Sequence, residues 1–577
     1  MSELPPGSIM VLGSLLLAGL RGNTMRIAML ALPLLSFWHM LTLPTGYSVE
    51  LDLLDYTLVP VRVDKLSLVW GWVYHIAAFL SMVYALHVRD RVQHIAGLSY
   101  AGSAIAAAFA GDLITLFIFW ELTAVTSVFL IWAARERGSY RVGMRYLLIQ
   151  VASGVILLAG ILIRIREVGS IEFGHIGLNG LGGLLIFVAF GIKCAFPFLH
   201  NWLQDSYPAA TPTGAVILSA FTTKLAVYAL ARSFAGTEIL IPIGAAMTLF
   251  PIVFAVIEND LRRVLAYSLN NQLGFMVVGV GIGTELAING TAAHAFAHII
   301  YKGLLFMSMG AVLHRTGTCK ASELGGLHKS MPWTTAFCII GSLSISGFPF
   351  FSGFVTKSMT LTAAADTHVI WLSVVLLIAS AGVVDHSGIK IPFFAFFAKD
   401  QGHRVKEAPL NMLVAMAAMA ALCLLVGLFP APLYSLLPFP VDYVPYTTSH
   451  VMTSLQLLFF AALAFALMWR MHASKRRGLA TLAKYPPELL ATNLDTDWLY
   501  RRLLPMLAVH VGLPIQRAFS FLRNTVYDFG VQTHRALRKE NTPPGSMGEP
   551  QPAGSGVFWV LVTFSLALTL SLASALR

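Results

Sequence analysis

The segment TAAHAFAHIIYKGLLFMSMG (residues 291–310) places two histidines and a lysine in an otherwise apolar run long enough to cross a membrane. His294, His298 and Lys302 are spaced i, i+4 and i+8, so they lie on one face of a helix. A charge near the bilayer centre costs about 3 kcal/mol or more, and such residues usually mark an ion or proton pathway. Imidazole titrates near neutral pH, and a lysine does so once it is desolvated. The spacing therefore favours a proton path over histidines that only pack against neighbouring helices.

Four more ionisable side chains interrupt apolar runs elsewhere in the chain. Glu121 lies in LITLFIFWELTAVTSVFLIW, Lys193 in LLIFVAFGIKCAFPF, Lys224 in AVILSAFTTKLAVYAL and Lys357 in FPFFSGFVTKSMTL. Glu121 can stabilise a protonated Lys193 or Lys224, and movement of that partner would release the lysine's proton. Static ion pairs that only fix helix packing are the alternative. The number of these residues, and the presence of both signs of charge, favour a relay through the membrane.

The composition is that of a polytopic membrane protein. Hydrophobic residues make up 57% and charged residues 12% of the 577, which is too apolar for a soluble domain of this size. The fold class is therefore all-α, with about 14–16 transmembrane helices by the length and hydropathy of the runs. The predicted spans lie near residues 8–20, 24–43, 66–87, 94–110, 113–133, 145–163, 181–200, 213–231, 238–257, 264–283, 290–313, 333–360, 370–385, 409–428, 450–470 and 557–575.

Two of these runs are interrupted in the same way. Phe-Pro-Phe occurs at 196–198 and again at 348–350, each time inside an apolar stretch with a lysine nearby. Proline removes a helix hydrogen bond, and broken helices within a membrane are tolerated mainly where protein or water covers them. Two ordinary proline kinks are the alternative. The lysines Lys193 and Lys357 beside the breaks favour a transporter built on repeats.

The formal charge of +11 does not indicate a nucleic-acid-binding protein, because the basic residues lie in loops between spans. The positive-inside rule places these loops in the cytoplasm and the N-terminus outside it. Arg164, Arg166 and Arg232 depart from this pattern. The loop residues are Arg21, Arg26, Arg89, Arg91, Arg135, Arg137, Arg141, Arg262, Arg263, Arg315, Lys320, Lys329, Lys390, Lys399, Arg404, Lys406, Arg470, Lys475, Arg476 and Arg477.

Neither a signal peptide nor a redox or metal motif is indicated. The start MSELPPGSIM lacks a basic n-region and a small-residue cleavage site, so the first helix is expected to be retained. The four cysteines form no Cys-x-x-Cys pair and are expected to be buried apolar residues. We therefore expect no cofactor and no metal in this chain, and its role is that of a transporter subunit rather than an enzyme.

The C-terminal stretch differs from the spans before it. Residues 484–540 mix apolar and basic residues at roughly helical spacing, which favours a helix lying along the membrane face over a partly helical cytoplasmic loop. Pro505 and Pro514 are expected to bend or break any single long helix there. Residues 540–556 have the composition of a flexible linker, and a final transmembrane anchor follows at 557–577.

The chain resembles the antiporter-like subunits shared by Mrp-type multi-subunit Na+/H+ antiporters and respiratory complex I. The resemblance covers roughly residues 65–430 and is carried by the motifs in order. They are FWELTAVTS, GIKCAFPFLHNWLQDSYPAATPTGA, ENDLRRVLAYSLNNQLGFM, HAFAHIIYKGLLFMSMGAVLHRTGT, ELGGLHKSMPW and SISGFPFFSGFVTKSM. The segment GIKIPFFAFFAKDQGHR (388–404) looks most like the D-type subunit of the Mrp antiporters. The C-terminal stretch departs from that D-type pattern and resembles the lateral helix and anchor of the largest such subunit of complex I.

The resemblance implies two inverted five-helix repeats, each with one broken helix, and a polar chain along the membrane midplane. It implies that Glu121 pairs with Lys193. The other positions of the family's polar chain are matched by Lys224, His294, His298, Lys302 and Lys357. No position of the series is missing, which argues against a copy that does not pump. The implied organisation is N-terminal helices (1–93), two repeats (94–235 and 236–390), C-terminal membrane helices (391–470), a lateral segment with linker (471–556) and the anchor (557–577).

Three functions remain open at this point. The first is a cation/proton-translocating subunit of an Mrp-like Na+/H+ antiporter in a bacterial inner membrane. The second is a proton-pumping subunit of a redox-driven complex such as complex I or a membrane hydrogenase. The third is the membrane partner of an inorganic-carbon uptake system. Each implies other membrane subunits as partners and H+, with Na+ in the first case, as the transported ion. Since this chain has no redox motif, any redox chemistry belongs to those partners.

Overall fold

The computed structural model describes residues 3–53, 55–474, 495, 498–541 and 553–575. It divides into two units, Met1–Asn493 and Leu494–Arg577. The basic residues Lys475, Arg476 and Arg477, the first part of the predicted lateral segment and most of the predicted linker lie outside the described residues.

The described part of the first unit consists of helices and one small hairpin. The helices of its first half are α1 (Ser8–Leu16), α2 (Gly22–Leu41), α3 (Lys65–Tyr84), α4 (Arg91–Phe109), α5 (Leu113–Trp132), α6 (Ser139–Val168), α7 (Gly180–Cys194), α8 (Asn201–Ala209), α9 (Pro212–Ala220) and α10 (Thr222–Ser233). The second half contains α11 (Leu240–Ile257), α12 (Leu261–Ile282), α13 (Glu285–Thr316), α14 (Pro332–Ser346), α15 (Ser352–Ala365), α16 (Ile370–Val383), α17 (Lys390–Pro392), α18 (Leu410–Leu428), α19 (Ala431–Leu436) and α20 (Thr448–Ser474). Short 3-10 turns occupy Ala321–Glu323 and Leu327–Lys329.

The predicted polytopic helical fold is confirmed. Among the described residues, ten helices are long and apolar enough to cross a membrane, counting α9 with α10 and α16 with its extension to Phe397 as single spans. Helices lie at the other predicted spans too, but they are shorter or less apolar. The first of them, α1, has nine residues and extends about 14 Å at 1.5 Å per residue, so it cannot cross the bilayer alone.

Helix α13 lies at the centre of the first unit. It is 32 residues long, and 94% of its 18-residue apolar stretch is buried inside the protein. It contacts α3, α9, α12, α14, α15 and α18. A helix with apolar residues all round is stable only when other helices surround it, which explains why the segment that carries the histidines is the core of the bundle.

Both Phe-Pro-Phe sequences break their helices, as predicted. The first break separates α7 from α8 and the second separates α14 from α15. Ala195 and Phe198 have positive φ at the first break, and Gly347 and Phe350 have it at the second. The left-handed backbone ends each half-helix and frees carbonyl groups inside the bundle. The inverted symmetry of the two repeats stays a prediction.

A two-stranded antiparallel hairpin departs from the all-α expectation. Strand β1 (Ser48–Leu53) pairs with β2 (Tyr56–Arg62) between α2 and α3. Asp112, the N-cap of α5, accepts a hydrogen bond from the Val59 backbone N–H at 2.8 Å. Asp64 at the start of α3 accepts two hydrogen bonds from the Arg232 guanidinium. The first contact ties the hairpin to the start of α5, and the second ties the start of α3 to α10.

The span predicted at 370–385 is longer than the sequence indicated. Helix α16 continues through π-helical turns at Val384–Ile389, through α17, and through a second π segment at Phe393–Phe397. Lys390 therefore lies in a helix and not in the predicted loop, and its side chain is fully buried. Arg262, also assigned to a loop, is 4% exposed at the start of α12. The apolar run after Lys390 keeps the chain within the bundle.

The second unit contains two helices, α21 (Leu504–Asn541) and α22 (Ala553–Ala575), with a π-helical turn at Leu499–Leu503 before α21. Of the predicted bend or break at Pro505 and Pro514, the break does not occur, because α21 runs for 38 residues with Pro514 inside it. Pro505 follows the π-helical turn directly, at the second residue of α21.

Candidate proton and cation relay

The histidine face of α13 points into the interior of the bundle. His294 is fully buried, with Nδ1 at 3.2 Å from the Thr356 hydroxyl of α15 and Nε2 at 3.2 Å from Oε1 of Gln272 of α12. The Tyr301 hydroxyl donates to the same Gln272 oxygen at 3.1 Å. His294 is therefore held between two neighbouring helices, one of which is half of the second broken helix.

His298 and Lys302 are buried without a protein partner. Both ring nitrogens of His298 and the Nζ atom of Lys302 lack a hydrogen bond, although both side chains have no exposed surface. The groups that act electrostatically on His298 include Lys224, Lys302 and His294. Buried polar groups are almost always satisfied by protein or by ordered water. These nitrogens thus indicate a place for water between His298 and its lysine neighbours.

The first half of the bundle brings Lys193 to helix α5, but not into an ion pair with Glu121. The Lys193 ammonium donates to the Trp120 carbonyl at 2.5 Å and to the Thr123 hydroxyl at 3.0 Å, and it lies 4.4 Å from the centre of the Trp120 ring. No ion pair within 4 Å joins Lys193 to Glu121 in the described structure, although the two charges act on each other. The implied pairing is therefore an electrostatic coupling at longer range in this conformation.

Glu121 occupies a space that a glycine provides. One of its carboxylate oxygens is buried without a hydrogen-bond partner, while the residue as a whole is half-buried. A Cβ atom at Gly154 of α6 would come within 1.6 Å of Glu121 Oε1. Only glycine leaves room for the carboxylate at this point, since every other residue carries a Cβ.

Lys224 and Lys357 each lie beside a helix break. Helix α9 ends at Ala220 and α10 begins at Thr222, and the Lys224 ammonium donates to the Ser219 carbonyl at the end of α9. The Lys357 ammonium donates to the Ile345 carbonyl at 3.3 Å, at the end of α14. Both lysines therefore donate hydrogen bonds to carbonyls at the breaks. These carbonyls carry the partial negative charge of a helix C-terminus.

Sequence reasoning missed a polar group at the π-helical end of α16. His386 and Lys390 are fully buried, and Asp385 is 8% exposed. Lys390 Nζ donates to the carbonyls of Ala255, Val256 and Glu258 at 2.9, 2.7 and 2.6 Å, which caps the end of α11. His386 is acted on electrostatically by Lys302 and Lys357, so this group lies beside the candidate relay. The signal in the sequence was the apolar stretch IPFFAFF that follows Lys390.

The chemistry of the arrangement suits proton exchange. Within the described residues, no group of three or more His, Cys, Asp or Glu side chains could hold a metal ion. The four cysteines are buried and free, as predicted. The site contains a series of amines and imidazoles. Some donate hydrogen bonds to backbone carbonyls, and others have no hydrogen-bond partner in the protein. Such groups can gain and lose protons when a neighbouring charge or water moves.

Comparison with known proteins identifies related membrane subunits. The family model described as NADH:quinone oxidoreductase/Mrp antiporter, TM matches residues 110–381. Hydrogenase-4 component B of Escherichia coli is 28% identical over 435 residues, covering 67% of this chain and 64% of that protein. The A-type Na+/H+ antiporter subunit of Alkalihalophilus pseudofirmus is 30% identical over 424 residues, covering 64% of this chain and 52% of the other.

The fold has a counterpart among solved structures. A chain in the structure of the Mrp complex from Dietzia superimposes with a TM-score of 0.75 at 22% identity, covering 97% of this chain and 65% of that one. At that identity the likeness shows the fold alone. This chain thus spans between about half and about two thirds of the length of these relatives.

The motif order, the two broken helices and the match over residues 110–381 agree with one another. Residues 110–381 of this chain match the membrane domain of the NADH:quinone oxidoreductase/Mrp antiporter family.

Proposed function

We propose that this chain translocates protons and a monovalent cation, Na+, within an Mrp-like antiporter complex. The relay consists of Glu121, Lys193, Lys224, His294, His298, Lys302 and Lys357. In this proposal the chain lies in a bacterial inner membrane with its N-terminus on the periplasmic side, and it works with other membrane subunits.

One observation carries the proposal. Lys302 Nζ and both ring nitrogens of His298 are buried at the centre of the bundle with no protein partner. A lysine placed there only for stability would be expected to have a partner, because an unpaired buried charge costs several kcal/mol. A group that must exchange its proton with water has a reason to stay unpaired. Lys224, which acts electrostatically on both, supplies the next site along the series.

The direct test is cation-driven proton movement in everted membrane vesicles that contain the complete complex. In wild-type vesicles with an established proton gradient, addition of Na+ should reduce the gradient, and a pH-sensitive dye should report that change. Lys302→Ala should lose this response while the complex still assembles. A Lys302→Ala complex that exchanges ions at the wild-type rate would contradict the proposal.

The second candidate is a proton-pumping role in a redox-driven complex. The match to Hydrogenase-4 component B favours it, since that relative covers more of this chain than the A-type antiporter relative does. The same vesicles separate the two functions. Antiport requires only the cation and the proton gradient, whereas redox-driven pumping requires an electron donor and is independent of added Na+.

A further inference from the structure

A fully buried histidine, His386, lies in the π-helical segment Val384–Ile389 that continues α16. Its Nδ1 atom is 2.9 Å from the hydroxyl of Ser387. That hydroxyl donates its only hydrogen to Ser268 of α12 at 2.7 Å, so it can only accept a hydrogen bond from the histidine. Nδ1 therefore carries the ring proton, and Nε2 presents a lone pair.

The lone pair of His386 is left without a partner inside the bundle. Among the residues that the structure describes, none forms a hydrogen bond with Nε2. Lys302 of α13 and Lys357 of α15 act electrostatically on this imidazole, as does Lys390. The Lys390 ammonium already donates to three carbonyls at the end of α11. An unpaired buried acceptor costs about 1–3 kcal/mol, which a histidine kept only for packing has no reason to impose.

The π-helical segment is fixed against the helix that ends at the second break. The Ser342 hydroxyl of α14 donates to the carbonyl of Ser387 at 3.2 Å. A Cβ atom at Gly388 would come within 2.2 Å of Ser346 Oγ at the end of α14, so only glycine allows this close approach. Single π-helical turns within α-helices occur mostly at functional sites. Here the turn holds His386 in one position beside the break that carries Lys357.

We propose that His386 is a further proton-carrying residue of the relay and links Lys302 to Lys357 in parallel with His298. The proposal rests on the proposed function for the driving force and direction of proton flow. In the first step the Lys302 ammonium gives a proton to His386 Nε2, directly or through water, which leaves a neutral amine and an imidazolium. The imidazolium then gives that proton to the neutral Lys357 amine. An ammonium forms there, and the neutral imidazole is restored with its Nδ1 proton still on Ser387.

The parallel arrangement follows from the position of His298. This histidine of α13 also interacts electrostatically with Lys302 and Lys357. Two imidazoles on different helices thus act on the same pair of lysines, and either can carry a proton between them. Both ring nitrogens of His298 are unpaired, whereas His386 has only Nε2 free. The loss of one histidine should therefore slow proton transfer and leave the other route open.

His386→Gln tests the proposal, because the glutamine amide can donate to Ser387 in place of the ring but cannot take up a proton. In everted vesicles with the complete complex, this variant should move protons severalfold more slowly while its assembly and thermal unfolding stay normal. Added to His298→Ala, it should lower the rate on the order of tenfold further, because both routes are then lost. His368→Gln replaces an exposed histidine in the loop before α16 and should transport like the wild type.

The outcomes separate a proton-carrying role from a packing role. Transport at the wild-type rate by His386→Gln would show that the imidazole only packs. A double variant no slower than His298→Ala alone would overturn the parallel route. His386→Asn, which carries a smaller amide, is measured in the same way and should be as slow as His386→Gln. Proton movement in the wild type that responds to an electron donor but not to Na+ would instead refute the proposed function, and the same variants are then compared with the donor as the driving force.

Discussion

At the scale of single residues, the relay groups differ in how firmly the protein holds them. His294 has a partner on each ring nitrogen, whereas His298 has none. Lys193 and Lys357 rest on backbone carbonyls, whereas Lys302 has no hydrogen bond. A group without fixed partners loses least when it changes its protonation state, so we expect proton exchange to be easiest at His298 and Lys302.

His298→Ala should therefore reduce ion translocation far more than His294→Ala. An imidazole can accept a proton at one nitrogen and donate from the other, and only His298 has both nitrogens free for water between Lys224 and Lys302. Dye-reported proton movement in everted vesicles measures both variants, with each serving as the matched control for the other. Equal losses, or a greater loss for His294→Ala, would contradict the shuttle role of His298.

The electrostatic interaction between Glu121 and Lys193 leads to a second expectation. Glu121→Gln and Lys193→Ala should each abolish coupled ion movement without preventing insertion, because each removes one of two charges, one half-buried and one fully buried, that act on each other. Lys399→Ala, which removes an exposed lysine, is the control and should transport normally. Near-normal proton movement in both buried variants would show that the coupling is only structural.

The glycine beside Glu121 allows a test that leaves every ionisable group in place. Gly154→Ala brings a Cβ within 1.6 Å of the present position of Glu121 Oε1, so the carboxylate must move. We expect a severalfold lower rate of proton translocation at a normal expression level. Gly138→Ala, at the N-cap of the same helix, meets no atom within 4 Å and should behave as the wild type. Identical rates for the two variants would mean that the position of Glu121 is unimportant.

At the scale of elements, a buried arginine joins the second repeat to the first broken helix. Arg262 at the start of α12 donates to the carbonyls of Tyr207 and Ala210 at 3.1 and 2.7 Å, at the C-terminal end of α8. Helix α8 is the second half of the helix that carries Lys193. The carbonyls at the C-terminal end of this short helix have no partner within the helix, so they accept hydrogen bonds from a residue in the second half of the bundle.

Arg262→Lys should lower the stability of the protein by about 2 kcal/mol, because the lysine side chain is shorter than that of arginine and its ammonium falls short of the Nη2 position that donates to both carbonyls, which leaves a buried carbonyl unpaired. Thermal unfolding of the purified complex measures the effect. Arg263→Lys is the matched control, since its side chain is 42% exposed beside Glu258. If the two variants unfold at the same temperature, the contact of Arg262 with α8 does not contribute to stability.

At the scale of the whole molecule, the chain has a membrane unit and a separate C-terminal unit. Helix α21 has 38 residues and extends about 57 Å, and its apolar side chains, such as Phe519 and Phe529, are exposed. A long exposed apolar surface on a helix marks a surface that other proteins or lipid cover. That α21 lies on the cytoplasmic face and holds a partner protein of the complex stays a prediction.

Truncation after residue 483 should therefore leave the membrane unit folded but weaken its assembly with partner subunits. The folded state of the shortened chain is checked by thermal unfolding, and assembly by co-purification of the partners. A second truncation after residue 541 removes only the final helix and separates its contribution from that of α21. Co-purification of all partners at full yield with the shorter chain would show that the C-terminal unit is not a clamp.

The sequence by itself determined the helical class, the two breaks and the family. Each depends on local chemistry: apolar runs must cross the bilayer as helices, and the proline of each Phe-Pro-Phe removes a helix hydrogen bond where the break occurs. The relay residues could be selected for a similar reason, since an ionisable side chain within an apolar run stands out from its neighbours. The missed hairpin at 48–62 has no such signal, because its short strands alternate weakly and depend on contacts with Asp112 and the helix ends.

Only the tertiary structure decided which of these groups have partners. It placed the Lys193 ammonium on the Trp120 carbonyl rather than on Glu121, brought Lys390 from a supposed loop onto the end of α11, and left His298 without a partner. These contacts join residues tens to more than a hundred positions apart in the chain. They depend on how helices pack against one another, which hydropathy and local spacing do not encode, because the same apolar helix can present an ionisable group to several different neighbours.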